Sequence, residues 1–216
     1  MITTLLLTTS LLLAQQSPAR KAQPMEKETA PAPRASLVLA HLAPTAPTVS
    51  VWVNGTEVTK RLAYGATALA NVATDKPARI ELRAADKTVF STSARLQGGF
   101  FALPVFGTAS KVTAEAMEIK PVSGKAVIQI FHAADADPVR IVMDGSPWGS
   151  KNPLAYGNFH QEALAPGKHM IAIQRADKTI ASKEFDLKAG TCTSFFAVSN
   201  NGQIEIRSAS HIPVSP

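Results

Sequence analysis

The chain has 216 residues, of which 45% are hydrophobic and 18% charged, so it can bury a core and is not a solvated, disordered polymer. Fifteen prolines and twelve glycines argue against a protein of long helices, and the single cysteine excludes an intrachain disulfide and a four-cysteine zinc site. The net charge of +6 favours anionic surroundings. The lysines and arginines are scattered, however, with no run longer than a pair, so nucleic acid is not an expected partner.

The first fourteen residues form an uncharged apolar run with two leucine triplets. Such a run is typical of a signal-peptide core and is too short to span a membrane, although no Lys or Arg precedes it. The alternative interpretation is a buried N-terminal strand or helix. Cleavage after Ala14 or after Ala19 is predicted, with a signal peptide over 1–19 and a mature chain that starts between about Gln15 and Arg20. We therefore expect export to the periplasm or the extracellular space. No later segment reaches ~18 apolar residues, so no transmembrane anchor is expected.

Residues 20–35 read as a Pro/Ala-rich linker between the signal peptide and the folded body. Prolines at 24, 31 and 33 interrupt a helix and cannot donate to a strand ladder, and the remaining residues are mostly alanine and charged side chains. This composition predicts an extended, solvated spacer.

The body of the chain is duplicated. Residues 37–55 and 127–145 share one pattern: an apolar strand that ends at a histidine, an Ala/Pro-rich loop, and a strand that closes in Asn-Gly or Asp-Gly. The two copies also share Leu-Ala-Tyr-Gly, Ala-Asp-Lys-Thr and a glycine before an apolar strand. The matching landmarks are 91 or 92 residues apart, and they are His41 and His132, Tyr64 and Tyr156, Asp86 and Asp177, and Gly99 and Gly190. A period of this length indicates duplicated domains rather than solenoid repeats.

Each repeat carries the pattern of β-strands. Residues 49–53 and 79–83 alternate between apolar and polar side chains, and Asn54-Gly55 is a hairpin signal. About seven such strands fit in about 85 residues, and no stretch has helical periodicity. We therefore predict two tandem immunoglobulin-like antiparallel β-sandwich domains, a first repeat over 36–118 and a second repeat over 125–210. Their short connection predicts that the two repeats lean on each other.

A known family has similar residues. The segment His132–Val139, the Leu-Ala-Tyr-Gly motif and the segment Ala165–His169 resemble the bacterial domain-of-unknown-function 4397 family, and the similarity covers about 36–210 in two tandem copies. The first copy departs from the pattern at His41-Leu42 and has Lys76-Pro77 where the second has Gly167. The resemblance implies exported or cell-surface proteins with tandem immunoglobulin-like sandwiches, and it implies no activity.

Two histidines and two aspartates are the candidates for metal or acid–base chemistry. His41 and His132 lie where a strand runs into a loop, as a metal ligand or acid–base group would, or as a ring that bonds the loop backbone and fixes its shape. Asp135 and Asp137 suggest an oxygen-rich calcium loop, but the further oxygen ligands and the closing glutamate of an EF-hand are missing. We therefore expect no metal and no cofactor.

The remaining candidates are one thiol and the repeated tyrosines. Cys192 is either a nucleophile with His132 as its base or a small buried filler aligned with Phe101. Tyr64 and Tyr156 either stack on sugar rings or pack beside a glycine that needs a positive φ. No catalytic residue is predicted. The repeated residues are predicted to be structural landmarks, namely His41, His132, Tyr64, Tyr156, Gly65, Gly157, Gly99 and Gly190.

Three functions follow from these patterns. The first is an exported, non-catalytic tandem sandwich that binds or scaffolds at the cell envelope, with envelope proteins or anionic polysaccharide as partners. The second is a carbohydrate- or anionic-polymer-binding module of wall or matrix, which an exposed aromatic platform would favour. The third is a hydrolase of the second repeat, which a cleft joining Cys192 or a serine to a histidine would favour.

Overall fold

The computed structural model describes residues 33–108, 111–134, 137–149 and 153–211, and every regular element in these ranges is a β-strand. The predicted signal peptide, most of the predicted linker and Asp135 lie outside them. Within the described ranges, no helix has the length and apolar character that a membrane crossing requires.

The first repeat folds into two sheets. Its strands are β1 (Arg34–Leu42), β2 (Val49–Val53), β3 (Thr56–Leu62), β4 (Thr67–Ala73), β5 (Ala78–Ala84), β6 (Lys87–Ala94), β7 (Gly99–Thr108), β8 (Lys111–Ala114) and β9 (Met117–Ile119). The sheet with the order β4-β1-β7-β8, in which β9 also pairs with β7, is called the first inner sheet. The sheet with the order β3-β2-β5-β6 is called the first outer sheet.

The second repeat has the same arrangement. Its strands are β10 (Ala126–Ala133), β11 (Arg140–Met143), β12 (Ser146–Pro147), β13 (Phe159–Leu164), β14 (Gly167–Arg175), β15 (Lys178–Leu187), β16 (Cys192–Asn200) and β17 (Gln203–Ser210). The second inner sheet has the order β13-β10-β16-β17, and the second outer sheet has the order β12-β11-β14-β15. In the described residues each sheet draws its strands from one repeat only, which confirms an all-β fold of two sandwiches.

One strand pair in each repeat is parallel. β1 runs antiparallel to β4 and parallel to β7, and β10 runs antiparallel to β13 and parallel to β16. A parallel pair needs a long crossover, and here the whole outer sheet lies between the paired strands in the sequence. This pairing differs from the purely antiparallel expectation, and the strand order differs from that of an immunoglobulin constant domain, where strands A and B lie side by side.

Three apolar cores hold the sheets together. Each sandwich has a core between its own two sheets. A third core lies between the two inner sheets, and its buried residues come from β1, β7 and β9 of the first repeat and from β10 and β16 of the second, with Leu42, Phe131 and Phe196 among them. The four sheets therefore stack as outer, inner, inner, outer, and the two repeats lean on each other as the short connection predicts.

The third core explains the sequence of the central strands. In β1, Leu37 and Leu39 face the first core, while Val38, Ala40 and Leu42 face the third core. A strand covered on both faces reads as a continuous apolar run rather than an alternating one. The runs that precede His41 and His132 have this form because both inner sheets are covered on both sides.

The tight turns occur nearly where the sequence predicts them. Asn54 and Gly55 have φ of 51° and 79°, as the predicted two-residue hairpin turn requires. The turn predicted at Asp86-Lys87 lies one residue earlier, because Ala85 and Asp86 take the left-handed conformation with φ of 45° and 64°. The same turn in the second repeat uses Ala176 and Asp177.

The strand pairing also changes which glycine of the first repeat is equivalent to Gly190. His41 pairs with Val105 of β7, and His132 pairs with Ala197 of β16, so equivalent positions in these strands are 92 residues apart. Gly190 is therefore equivalent to Gly98 and not to Gly99. Both glycines of the pair Gly98-Gly99 have a positive φ, and this hides the one-residue difference from the sequence alignment.

Candidate functional site

His41 is buried, and its ring spans one loop. Its Nε2 lies 3.0 Å from the carbonyl oxygen of Pro47, and its Nδ1 accepts the N–H of Ala43 at 3.4 Å. Since Nδ1 accepts, Nε2 carries the proton and donates to Pro47. Burial lowers the pKa of His41, which favours this neutral form. Both ring nitrogens are thus engaged with the backbone.

His132 makes the same pair of contacts in the second repeat. Its Nε2 lies 2.9 Å from the carbonyl oxygen of Asp137, and Ala134 donates its N–H to Nδ1 at 3.5 Å. The carboxylate of Asp137 lies 3.9 Å from Arg175, so a cation already faces it. Among the described residues, no three His, Cys, Asp or Glu side chains lie close enough together to hold a metal ion.

The two repeated tyrosines lie at the third core. Tyr64 is edge-on to His41, and its hydroxyl accepts the N–H of Ser199 in the second repeat at 2.9 Å. Tyr156 is edge-on to His132 and to Phe106 of the first repeat, with ring centroids 6.3 Å and 5.8 Å away. Each tyrosine therefore contacts its own repeat's histidine and the opposite repeat.

The glycine after each tyrosine ends the turn. Gly65 and Gly157 have φ of 75° and 79° and donate their N–H to the carbonyl oxygens of His41 and His132, both at 2.8 Å. A Cβ on Gly157 would lie 3.1 Å from the ring of Phe106, whereas one on Gly65 would lie 4.0 Å from its nearest neighbour. We call Tyr64-Gly65 and Tyr156-Gly157 the Tyr-Gly turns.

Cys192 lies in the third core and is 1% exposed. Burial raises the pKa of its thiol to about 11, so the nucleophilic thiolate is disfavoured. By strand pairing its equivalent is Phe100 and not Phe101, because Phe100 packs against the third core while Phe101 belongs to the first.

A serine and a histidine that sequence reasoning did not connect lie within hydrogen-bond distance. Ser194 Oγ is 3.0 Å from His211 Nε2, and burial lowers the pKa of His211 to about 4. Ser194 is fully buried and His211 is 6% exposed, with the ring of Phe100 edge-on to the imidazole. In the described residues both side chains are thus closed off from solvent.

An ordered group of side chains lies on the solvent face of the first outer sheet. Trp52 Nε1 donates to Ser50 Oγ at 3.0 Å, and the guanidinium of Arg83 lies 4.3 Å from the centroid of the Trp52 ring. Arg83 Nε donates to Glu81 Oε2 at 3.0 Å, and Arg79 Nε lies 2.6 Å from Glu81 Oε1. The hydrogen bond from Arg83 lowers the pKa of Glu81, which stays ionised and holds both arginines.

This group borders an open groove of about 520 Å³, which we call the Trp52 groove. Its lining residues are Thr48, Ser50, Trp52, Glu57, Lys60, Arg61, Arg83, Ala85 and Asp86. The pairing of β2 with β3 is irregular on both sides of Val51, directly before Trp52. Such bulges re-aim side chains and are common beside functional sites. Sequence reasoning treated Trp52 only as one residue of an alternating strand.

The second outer sheet has an open groove of a different kind, with a volume of about 460 Å³. His169 lies between the carboxylate of Asp144, at 2.7 Å, and the carbonyl oxygen of Ala165, at 2.9 Å. Both partners are acceptors, so the imidazole donates from both nitrogens, and Asp144 raises the pKa of His169. Glu184, Asp186 and Lys168 also line this groove, so it carries charges of both signs.

Comparisons with known proteins supply no family. No family model and no curated protein matches the chain. Among solved structures, it is similar to CBMbc, a module of family CBM26 from Eubacterium rectale Amy13K in complex with maltoheptaose, at 8% identity. The match covers 84% of this chain and 98% of that chain with a TM-score of 0.29, too low to carry an argument about ligand or activity.

Proposed function

We propose that this protein is an exported, non-catalytic binding module of the cell envelope. The observation that supports the proposal best is the placement of its reactive side chains. His41, His132, Cys192, Ser194 and His211 are all buried, and both inner sheets are covered on both faces. The solvent faces of the two outer sheets are left as accessible surface for binding, with the Trp52 groove on one and the groove of His169 on the other.

A carbohydrate- or anionic-polymer-binding module of wall or matrix is the more specific form of this proposal. The Trp52 groove favours it, because the groove combines an aromatic ring with basic side chains on an exposed face. The hydrolase alternative has less support, since its Ser194–His211 pair is closed off from solvent.

Export rests on the apolar run at residues 1–14 and on the resemblance to the domain-of-unknown-function 4397 family. N-terminal sequencing of the native protein is the direct test. We expect a mature chain that starts between about Gln15 and Arg20. A native protein that keeps Met1 would refute the export part of the proposal.

Binding is tested by sedimentation with isolated cell envelopes of the producing organism. The purified protein without residues 1–19 is mixed with increasing amounts of envelope, and the bound fraction is measured after centrifugation. We expect saturable retention that excess unlabelled protein displaces. Retention that does not saturate, or that heat-denatured protein shows equally, would refute a specific binding function.

A further inference from the structure

We infer that the Trp52 groove is a binding site for an anionic polysaccharide, a polymer of sugar rings that carry carboxylates. This inference rests on the proposed function, for which it names the site and the class of ligand. It follows from the chemistry of the groove, from its fixed geometry and from the contrast between the two repeats.

The groove offers an aromatic ring beside hydrogen-bonding groups. Trp52 is only partly buried although it lies in the middle of a sheet, and Thr48 and Ser50 line the groove beside it. Sugar rings present apolar C–H faces and hydroxyl edges. The part of the Trp52 ring that Arg83 leaves uncovered, together with the Thr48 hydroxyl, complements both. This complementarity concerns sugars in general and does not select a charge.

The charge of the ligand follows from β3. Lys60 and Arg61 are adjacent and exposed, and both line the groove, whereas Glu57 and Asp86 are its acidic side chains. Arg83 lies over the Trp52 ring and is already paired with Glu81, so Lys60 and Arg61 are the cations that a ligand carboxylate can reach. One exposed ion pair contributes little, but a polymer repeats its carboxylates and gains from several contacts at once.

The geometry of the groove is fixed before a ligand binds. Glu81 is 8% exposed and binds Arg79 on one carboxylate oxygen and Arg83 on the other. Arg83 in turn holds its place over Trp52, whose Nε1 is tied to Ser50. A site ordered in this way loses little conformational entropy when a ligand binds.

At the equivalent positions, the described residues of the second repeat lack these side chains. By strand pairing, the equivalents of Trp52, Glu81 and Arg83 are Val142, Ala172 and Gln174. The strand that carries Lys60 and Arg61 has seven residues, whereas its counterpart β12 has two. The repeats share the residues of the interior and of the third core but differ here, which is expected if only the first repeat acquired this site.

The test is isothermal titration calorimetry of the full mature chain with polygalacturonate at low salt. Circular dichroism first shows that each variant is folded. Polyglutamate serves as an anionic polymer without sugars, and dextran as a neutral polysaccharide. We expect Trp52→Ala and the double variant Lys60→Ala/Arg61→Ala each to weaken polygalacturonate binding about tenfold or more. Lys178→Ala/Lys188→Ala, which removes two exposed lysines of the second repeat, is the matched control and should bind like the wild type.

Binding to polygalacturonate should also weaken as salt is raised, and polyglutamate should bind at least about tenfold more weakly. Equal affinity for both anionic polymers, equal affinity for dextran, or an equal loss in the control variant would overturn the inference. The Lys60→Ala/Arg61→Ala variant alters only exposed side chains, so it tests the site even if Trp52→Ala unfolds. Saturable retention on envelopes together with no binding of polygalacturonate would overturn the ligand class and leave the proposed function standing.

Discussion

At the scale of single residues, His41 and His132 join two points of one loop through their ring nitrogens. In each ring Nε2 donates to a backbone carbonyl and Nδ1 accepts a backbone N–H. Both side chains are buried. A buried polar group that loses its partner costs more than the bond itself contributes. The two histidines are therefore expected to stabilise the folded conformation of their loops.

The first prediction concerns His132→Ala. We expect the free energy of unfolding to fall by about 1–3 kcal/mol, because the carbonyl of Asp137 and the N–H of Ala134 lose a buried partner. Urea denaturation followed by circular dichroism measures the change, with the exposed Lys178→Ala as control. Unchanged stability together with the loss of a metal-binding or hydrolytic activity would contradict the structural role.

The second prediction is a loss of stability in acid. Burial lowers the pKa of His211 from 6.5 to about 4, so between these pH values the unfolded chain binds more protons than the folded chain. The free energy of unfolding should therefore fall as the pH drops through this window, by about 3 kcal/mol from His211. His41, whose pKa is also lowered by burial, adds to the same loss.

The check is His211→Gln, which removes the titrating group. Its unfolding free energy should depend less steeply on pH between 6.5 and 4 than that of the wild type. His169 acts in the opposite direction, because its raised pKa gives a contribution that is complete below pH 6.5 and is lost as the pH rises through that pKa. Identical acid slopes for wild type and variant would show that His211 does not titrate as a buried base.

At the scale of elements, the Tyr-Gly turns place each repeat against the other. The third prediction compares Gly157→Ala with Gly65→Ala. Both substitutions put a side chain at a left-handed φ, which costs roughly 1–2 kcal/mol. Gly157→Ala should cost more, because its Cβ would lie 3.1 Å from the ring of Phe106.

Thermal or urea unfolding of the two variants measures this difference. An equal loss of stability in both variants, or a larger loss in Gly65→Ala, would contradict the prediction. Either result would mean that the contact with Phe106 does not constrain the second Tyr-Gly turn.

Local elements were predictable from the sequence, and long-range pairing was not. The hairpin at Asn54-Gly55 and the alternating strand 79–83 are determined by nearby residues, and both are confirmed. The parallel pairing of β1 with β7 joins segments separated by the whole outer sheet, and no local pattern encodes it. The continuous apolar run in β1 did indicate a strand buried on both faces. A prediction of the fold from the number of strands alone does not use this signal.

Some residues of the candidate site were also predictable from the sequence, and others were not. The repeated residues were visible because both repeats use them at the third core, whereas Trp52, Lys60 and Arg61 are not repeated and left no mark in the internal alignment. Ser194 and His211 meet only because two strands of the fold bring them together. Their separation along the chain gives no sign of that contact.

At the scale of the whole molecule, the third core joins the two repeats, so we expect them to unfold together. Leu42, Phe131 and Phe196 are buried there from both sides, and separating the repeats would expose them. The apolar area between the inner sheets is thus part of the stability of each sandwich.

The fourth prediction is that the protein unfolds in a single transition and that Phe196→Ala lowers the stability of both repeats together. Removal of this buried ring should cost about 3–5 kcal/mol. Scanning calorimetry measures the number of transitions, and Val89→Ala, at a residue that is 46% exposed, is the control. Two separate transitions, of which Phe196→Ala shifts only one, would contradict the shared core.

The central claim is that this molecule binds at its outer faces while its buried serine, cysteine and histidines carry out no chemistry. The most direct measurement is the release of soluble fragments from isolated cell envelopes incubated with the purified protein. The account predicts that the protein is retained on the envelopes, that release stays at the level of the blank, and that Ser194→Ala and Cys192→Ser behave like the wild type. Release above the blank that is lost in Ser194→Ala would contradict the account and would identify Ser194–His211 as a hydrolytic pair.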